Sequence, residues 1–138
     1  MTRVERITIT ALLVALVALA MATGARSDTG CRTAACKDRV WNRAHPFRPA
    51  LASWFDAVGD GGAVACSRHK FGGQMLIVAH KTLPCGTRLR ICSRRCVTAR
   101  VWDRGPYSGA REFDLDKRVR NAVGFDGVDI IRVRELRP

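Results

Sequence analysis

Mainly β, a small disulfide-stabilised barrel of short strands with one short helix, is the fold class that this 138-residue sequence predicts. Three observations carry the expectation. Short stretches in which apolar and polar residues alternate recur along the chain, with turn residues between them at about 8–12-residue intervals. A single stretch, Asp116–Val123, repeats its apolar positions with the helical period instead. The cysteines number six, an even count, and they follow an N-terminus that reads as an export leader, so a disulfide framework is the first reading.

The leader comes first in the chain. Arg3 and Arg6 precede the apolar run Ile7–Ala20, and small residues follow at Ala18-Leu19-Ala20, Ala20-Met21-Ala22 and Thr23-Gly24-Ala25. This is the layout of a cleavable signal peptide over residues 1–25, and the run is short of the ~20 residues that a spanning anchor needs. No membrane span is expected after processing. Residues 26–50 read as a polar N-terminal extension with a small Cys31/Cys36 loop and a short helical turn near Trp41. Residues 51–138 form the predicted barrel domain. Within it, Leu51–Phe55, Ala63–Ser67, Met75–Ala79, Thr87–Cys92, Val97–Trp102 and Val128–Leu136 read as strands. In the helix, Leu115, Val119, Ala122 and Val123 share a face, Asp114 or Asp116 can cap the start, and Gly124 can close the end.

Local spacing pairs Cys31 with Cys36 and Cys92 with Cys96, and leaves Cys66 with Cys85. A zinc site would want paired Cys-x-x-Cys, which this spacing lacks; no metal and no cofactor is expected. Lys and Arg total 24 against 12 Asp and Glu, a formal net charge of +12. Removing the leader's two arginines and one glutamate barely alters that excess, so the exported domain will concentrate on polyanions. Outside a cell those are wall polymers, acidic peptide stems and phospholipid surfaces. Neither a helix-turn-helix nor basic-aromatic interleaving is visible, so nucleic acid is not an expected partner. The domain is expected to be a monomer.

The stretch with the clearest chemistry is Val101-Trp102-Asp103-Arg104-Gly105-Pro106-Tyr107. Val97, Ala99 and Val101 alternate with Thr98, Arg100 and Trp102, and Asp103 falls on the apolar parity at the strand end. A carboxyl at the rim of a core is partly desolvated, which favours its protonated form. The bland alternative pairs Asp103 with Arg104 or makes it a turn cap.

Taken together, Ala52-Ser53-Trp54-Phe55, Ala79-His80-Lys81-Thr82-Leu83-Pro84-Cys85-Gly86-Thr87, the Asp103 stretch, and Phe113-Asp114-Leu115 ahead of a helix ending Val123-Gly124 resemble the rare lipoprotein A (RlpA)-like domains. The resemblance runs from about Leu51 to Leu136. It implies a six-stranded double-psi β-barrel, shared with expansins, barwin-type proteins and some endoglucanases. It also implies lytic cleavage of peptidoglycan glycan strands at the bond between N-acetylmuramic acid and N-acetylglucosamine. The cysteine positions around Cys66, Cys85, Cys92 and Cys96 are similar to those of the expansin barrel, where the same two pairs would form. Phe113-Asp114 resembles the expansin His-Phe-Asp motif, with Glu112 in the first place.

A lytic enzyme of this kind needs a proton donor for the glycosidic oxygen and a base for the sugar's own 6-hydroxyl, and one acid can serve both steps. The resemblance assigns that acid to Asp103, with His80 beside it setting its protonation state. Asp114 is a further carboxyl candidate. The lytic family carries a glutamate two residues before a phenylalanine upstream of the motif histidine; here that place, two before Phe71, holds His69. As imidazolium His69 can donate a proton, but it cannot duplicate a carboxyl. Trp54, Trp102 and Tyr107 offer flat faces to sugar rings, and Arg104 can reach acidic or carbonyl groups of a glycan. Two readings therefore stand: an exported lytic transglycosylase, or an expansin-like module that binds wall polysaccharide without cleaving it. A barwin-like defence or inhibitor protein is the weaker third.

Overall fold

A computed structural model describes residues 30–138. The signal peptide expected over residues 1–25 lies outside them. The chain divides after Lys37 into two units. In the first, Cys31 and Cys36 form a disulfide with Cα atoms 5.5 Å apart. Thr33 Oγ1 accepts the Cys36 N–H at 3.2 Å, the bond of a helix N-cap. The helix so started, α1 (Ala34–Ala44), replaces the short turn expected near Trp41; it has no buried residue and hence no apolar stripe to announce it.

Asp38–Pro138 contains the barrel. Its strands are β1 (Arg48–Phe55), β2 (Ile77–His80), β3 (Arg88–Cys92), β4 (Cys96–Asp103), β5 (Phe113–Asp116) and β6 (Asp129–Glu135). They close in the order β1-β5-β2-β4-β3-β6. Two pairs, β1–β5 and β2–β4, are parallel and the rest antiparallel. β5 lies between the consecutive strands β1 and β2, and β2 lies between β4 and β5. These two interlocks make the double-psi arrangement, and exchanging the first three strands with the last three leaves the order unchanged.

Alternation explains the core. Leu89 and Ile91 of β3, Ala99 and Val101 of β4, and Ile131 and Val133 of β6 point inward with Val78, Phe113 and Leu115. A second cluster lies outside the barrel, where Ala57, Val64 and Phe71 of the 56–76 loop cover Ile77, with Phe55, Met75 and Trp102 packed against them. The strand expected over Ala63–Ser67 is absent, and turns occupy that stretch. Its apparent alternation has another cause: Val64 is buried in the second cluster and Cys66 is bonded to Cys85, with Cα atoms 5.8 Å apart. Cys92 and Cys96 close the β3–β4 hairpin at 4.1 Å between Cα atoms, so all three pairs read from spacing are present. Helix α2 (Lys117–Val123) follows β5 directly. Asp116, not Asp114, caps it, and Gly124 ends it at φ 71°, where its N–H reaches Arg120 O and Asn121 O.

Candidate functional site

Parallel pairing brings residues far apart in sequence into one row. Ser53 of β1 lies opposite Asp114 of β5, Asp114 opposite Ala79 of β2, and Ala79 opposite Asp103 of β4. Residues opposite one another share a face, so two carboxyl residues flank Ala79, their Cα atoms roughly 10 Å apart at two strand spacings. The register shifts between Val78 and Ala79, because Val78 pairs with Val101 while Ala79 pairs with Asp103. Trp102 is the extra residue of that β-bulge. The bulge takes Asp103 out of the apolar alternation its sequence position implied, and it is half-exposed.

Asp103 Oδ1 accepts two backbone N–H groups, from Ala65 at 2.8 Å and from Arg104 at 2.8 Å. The first ties the 56–76 loop to the end of β4, and Cys66 N–H to Trp102 O at 3.2 Å reinforces it. The second is a contact with Arg104's backbone, not its side chain. Asp114 is the carboxyl whose pKa is raised. Burial is the main cause, and the negative charge of Asp103 adds to it, against the Ser53 hydrogen bond and Arg111, which favour the charged form. Ser53 Oγ donates to Asp114 Oδ1 at 2.8 Å from a residue that is 4% exposed.

His80 does not pair with Asp103. Its Nδ1 accepts N–H groups from Thr82 at 3.1 Å and Leu83 at 2.9 Å, which leaves the ring proton on Nε2, facing Glu112 Oε1 at 3.4 Å. Burial holds its pKa below the usual histidine value, with Glu112 opposing. Glu112 is in turn gripped by both terminal nitrogens of Arg48, the main reason its carboxyl sits below the ordinary range. His80 therefore anchors the turn after β2, and a buried histidine satisfied by backbone is what the geometry shows.

Arg104 sends Nη1 to Leu83 O at 2.8 Å and His80 O at 3.2 Å, and Nη2 to Cys85 Sγ at 3.2 Å. Its guanidinium thus holds the same turn. Trp102 is half-buried on the second cluster. Tyr107 is 81% exposed, just beyond Asp103. Trp54, the residue after Ser53, points to the opposite face of β1 and stacks under Arg120 at 4.3 Å. His69 is exposed in the 56–76 loop; its backbone N–H reaches Ser67 Oγ at 3.1 Å, and its ring makes no hydrogen bond among the described residues. Of the predicted set, the structure brings together Asp103 and Asp114, places His80 and Arg104 on the adjoining turn, and leaves Trp54 elsewhere. Ser53, Glu112 and Arg48 complete these contacts. Only the strand order could have revealed Ser53 and Arg48, while Glu112 was marked by its place before Phe113-Asp114.

A cavity of about 220 Å³ opens at the barrel end between Leu83, Leu89, Phe113, Val133 and Arg48. Neither Asp103 nor Asp114 lines it. Among the described residues no cluster of three or more His, Cys, Asp or Glu could hold a metal, and no helix is long and apolar enough to cross a membrane.

No family model matches the chain. Curated relatives do. The chain is 36% identical over 82 residues to a probable endolytic peptidoglycan transglycosylase RlpA of Synechocystis, covering 57% of this chain and 25% of the relative. It is 39% identical over 76 residues to the endolytic peptidoglycan transglycosylase RlpA of Campylobacter jejuni, covering 53% of this chain and 27% of the relative. The chain thus spans about a quarter of the length of these relatives. Among solved structures, cerato-platanin 3 from M. perniciosa matches with a TM-score of 0.51 at 13% identity, covering 65% of this chain and 95% of its own. The Streptomyces papain inhibitor matches with a TM-score of 0.51 at 18% identity over 66% and 94%. These likenesses share the fold. The resemblance to RlpA-like domains read from the motifs is thereby matched in named relatives.

Proposed function

We propose that this is an exported cell-wall domain that binds peptidoglycan glycan strands across the Ser53–Asp114–Ala79–Asp103 row and cleaves them as a lytic transglycosylase. The observation that carries the reading is the carboxyl pair, in which burial and the neighbouring Asp103 charge push the Asp114 carboxyl up. Two carboxyls whose environments differ divide acid and base work. Asp114, in place of the Asp103 that the motif resemblance assigned, protonates the glycosidic oxygen, because burial disfavours its charged form. As that bond breaks, Asp103 faces the positive charge developing at the sugar and takes the proton from the 6-hydroxyl, whose oxygen closes the anhydro ring. Ser53 orients Asp114, the Ala65 and Arg104 N–H groups orient Asp103, and His80 with Arg104 fixes the adjoining turn. Tyr107 offers its exposed ring to a sugar face. Relatives named for peptidoglycan cleavage support the substrate class, and three disulfides support an extracytoplasmic location.

The test is incubation of the purified chain with amidase-treated peptidoglycan and mass spectrometry of the soluble fraction. Anhydro-sugar products are expected, reduced about a hundredfold in Asp114→Asn and in Asp103→Asn while co-sedimentation with the wall persists. Wall binding without products sinks the lytic reading. It would leave the expansin-like module, which one observation favours: the place of the lytic family's glutamate holds His69, whose ring is exposed and unengaged among the described residues.

A further inference from the structure

The outer face of β4–β3–β6 is a field of arginines. Leu89, Ile91, Ala99, Val101, Ile131 and Val133 of these strands point into the core, so the alternate positions face outward. They include Arg88 and Arg90 on β3, Thr98 and Arg100 on β4, and Ile130, Arg132 and Arg134 on β6. Register makes like charges direct neighbours: Arg88 lies opposite Arg100, and Arg90 opposite Arg134. Like charges directly opposite destabilise a sheet. Yet among the described residues none of these five arginines is in an ion pair. Among the described residues their only side-chain acceptor is Thr98 Oγ1, 3.5 Å from Arg90 Nη1. Arg134 Nε is buried with no hydrogen-bond partner. The Phe47 ring lies 4.6 Å from the Arg134 guanidinium and 5.8 Å from that of Arg132, holding both side chains in place. A face that keeps five unpaired cations together is built for an anion supplied from outside.

We propose that this face binds a linear phosphodiester polymer of the cell envelope, as a surface separate from the Asp103–Asp114 row. Arginines two apart on one strand are about 7 Å apart, and those on neighbouring strands about 5 Å apart. A chain bearing one phosphate per short polyol or sugar unit meets successive guanidiniums at such a spacing, and the guanidinium fork matches phosphate oxygens two at a time. An anionic bilayer is the poorer fit. The exposed apolar residues beside the field, Val128, Ile130 and Phe47, are few and small in area against what a membrane-embedded face needs. Nucleic acid has a similar phosphate repeat but belongs to a reducing compartment, whereas three disulfides place this chain in an oxidising one.

The experiment is fluorescence anisotropy of labelled, lipid-free poly(glycerol phosphate) with the purified full chain across a salt series. Saturable binding that weakens as salt rises is expected. Arg90→Gln with Arg134→Gln should weaken it about tenfold, as should Arg88→Gln with Arg132→Gln if the first pair proves unstable. Lys117→Gln, which removes one charge on α2, should alter it less than about twofold, and Asp114→Asn should leave it unchanged. Several results overturn the proposal: Lys117→Gln weakening the binding as much as an arginine pair, loss on Asp114→Asn, or tighter retention of single-stranded DNA, hyaluronate or phosphatidylglycerol vesicles than of the polymer. Because Asp114→Asn separates the two surfaces, failure here leaves the glycan row standing.

Discussion

Ser53→Ala tests the carboxyl pair without touching either carboxyl. Ser53 Oγ donates to Asp114 Oδ1 at 2.8 Å, and this bond favours the ionised acid against the burial that disfavours it. Deleting the hydroxyl removes the opposing influence, so the pKa of Asp114 must rise further. A hydrogen bond to a buried charged group contributes about 1.5–3 kcal/mol. Asp114 is only partly buried, and solvent screening reduces that to about 1 kcal/mol. Losing that support for the ionised form moves the midpoint up. Carbon-13 NMR titration of the Asp114 carboxyl measures this directly and needs no turnover. If the chain cleaves glycan, the alkaline limb of its pH profile should shift by the same amount in the same direction. An Asp114 midpoint that stays put or falls would refute the assignment of Ser53 as the group that holds this acid back.

Three further perturbations probe the scaffold. His80→Asn should cost about 1–2 kcal/mol at pH 8 through weakened bonds to Thr82 and Leu83 N–H. It should also flatten the pH dependence. His80 has a lowered folded pKa, so its contribution is full above about pH 6.5 and is lost as pH falls through the folded value; melting temperatures at pH 8 and pH 5 decide it, and an unchanged slope would count against the neutral, turn-capping ring. Cys66→Ser with Cys85→Ser opens a disulfide spanning 19 residues. It should cost about 3 kcal/mol, against about 2 for the short Cys92–Cys96 loop, as read by denaturant midpoints. Asp116→Ala leaves Ala57 N–H and Arg118 without their carboxylate and should lower stability by about 2–4 kcal/mol in the same measurement.

Much of the barrel is legible locally. β3, β4 and β6 alternate cleanly because one face meets the core, and α2 declares itself through Val119, Val123 and its caps. β1 begins at Arg48, before the expected Leu51, since Arg48 and Pro49 are exposed and carry no apolar signal. The Cys66–Cys85 pair is what the two close-spaced pairs leave over. What the sequence hides is the ring order. Ser53 and Asp114 are paired only because β5 inserts between β1 and β2, and no local periodicity reports a parallel contact across that distance. The same holds for Arg48 with Glu112, which draws His80 to a partner other than the one its motif suggested. Asp103 was found by its motif; the bulge that sets its exposure was not, because a single extra residue leaves the alternation upstream of it intact.

The interlocked strand order also governs how the domain withstands cutting. Neither half of the chain contains its own hydrogen-bond neighbours: β2 needs β4 and β5, and β1 needs β5 and β6. The natural place to sever the halves is the turn Ser93-Arg94-Arg95, whose two arginines suit a trypsin-like protease. That turn lies inside the Cys92–Cys96 loop, and Arg95 N–H is further held by Val123 O at 3.0 Å. A protease that clips there produces two polypeptides that remain covalently joined and mutually threaded, so a nicked molecule keeps its barrel, and only clipping combined with a reductant frees the pieces. In an environment rich in secreted proteases, the smallest ring of the three disulfides is the one that guards continuity.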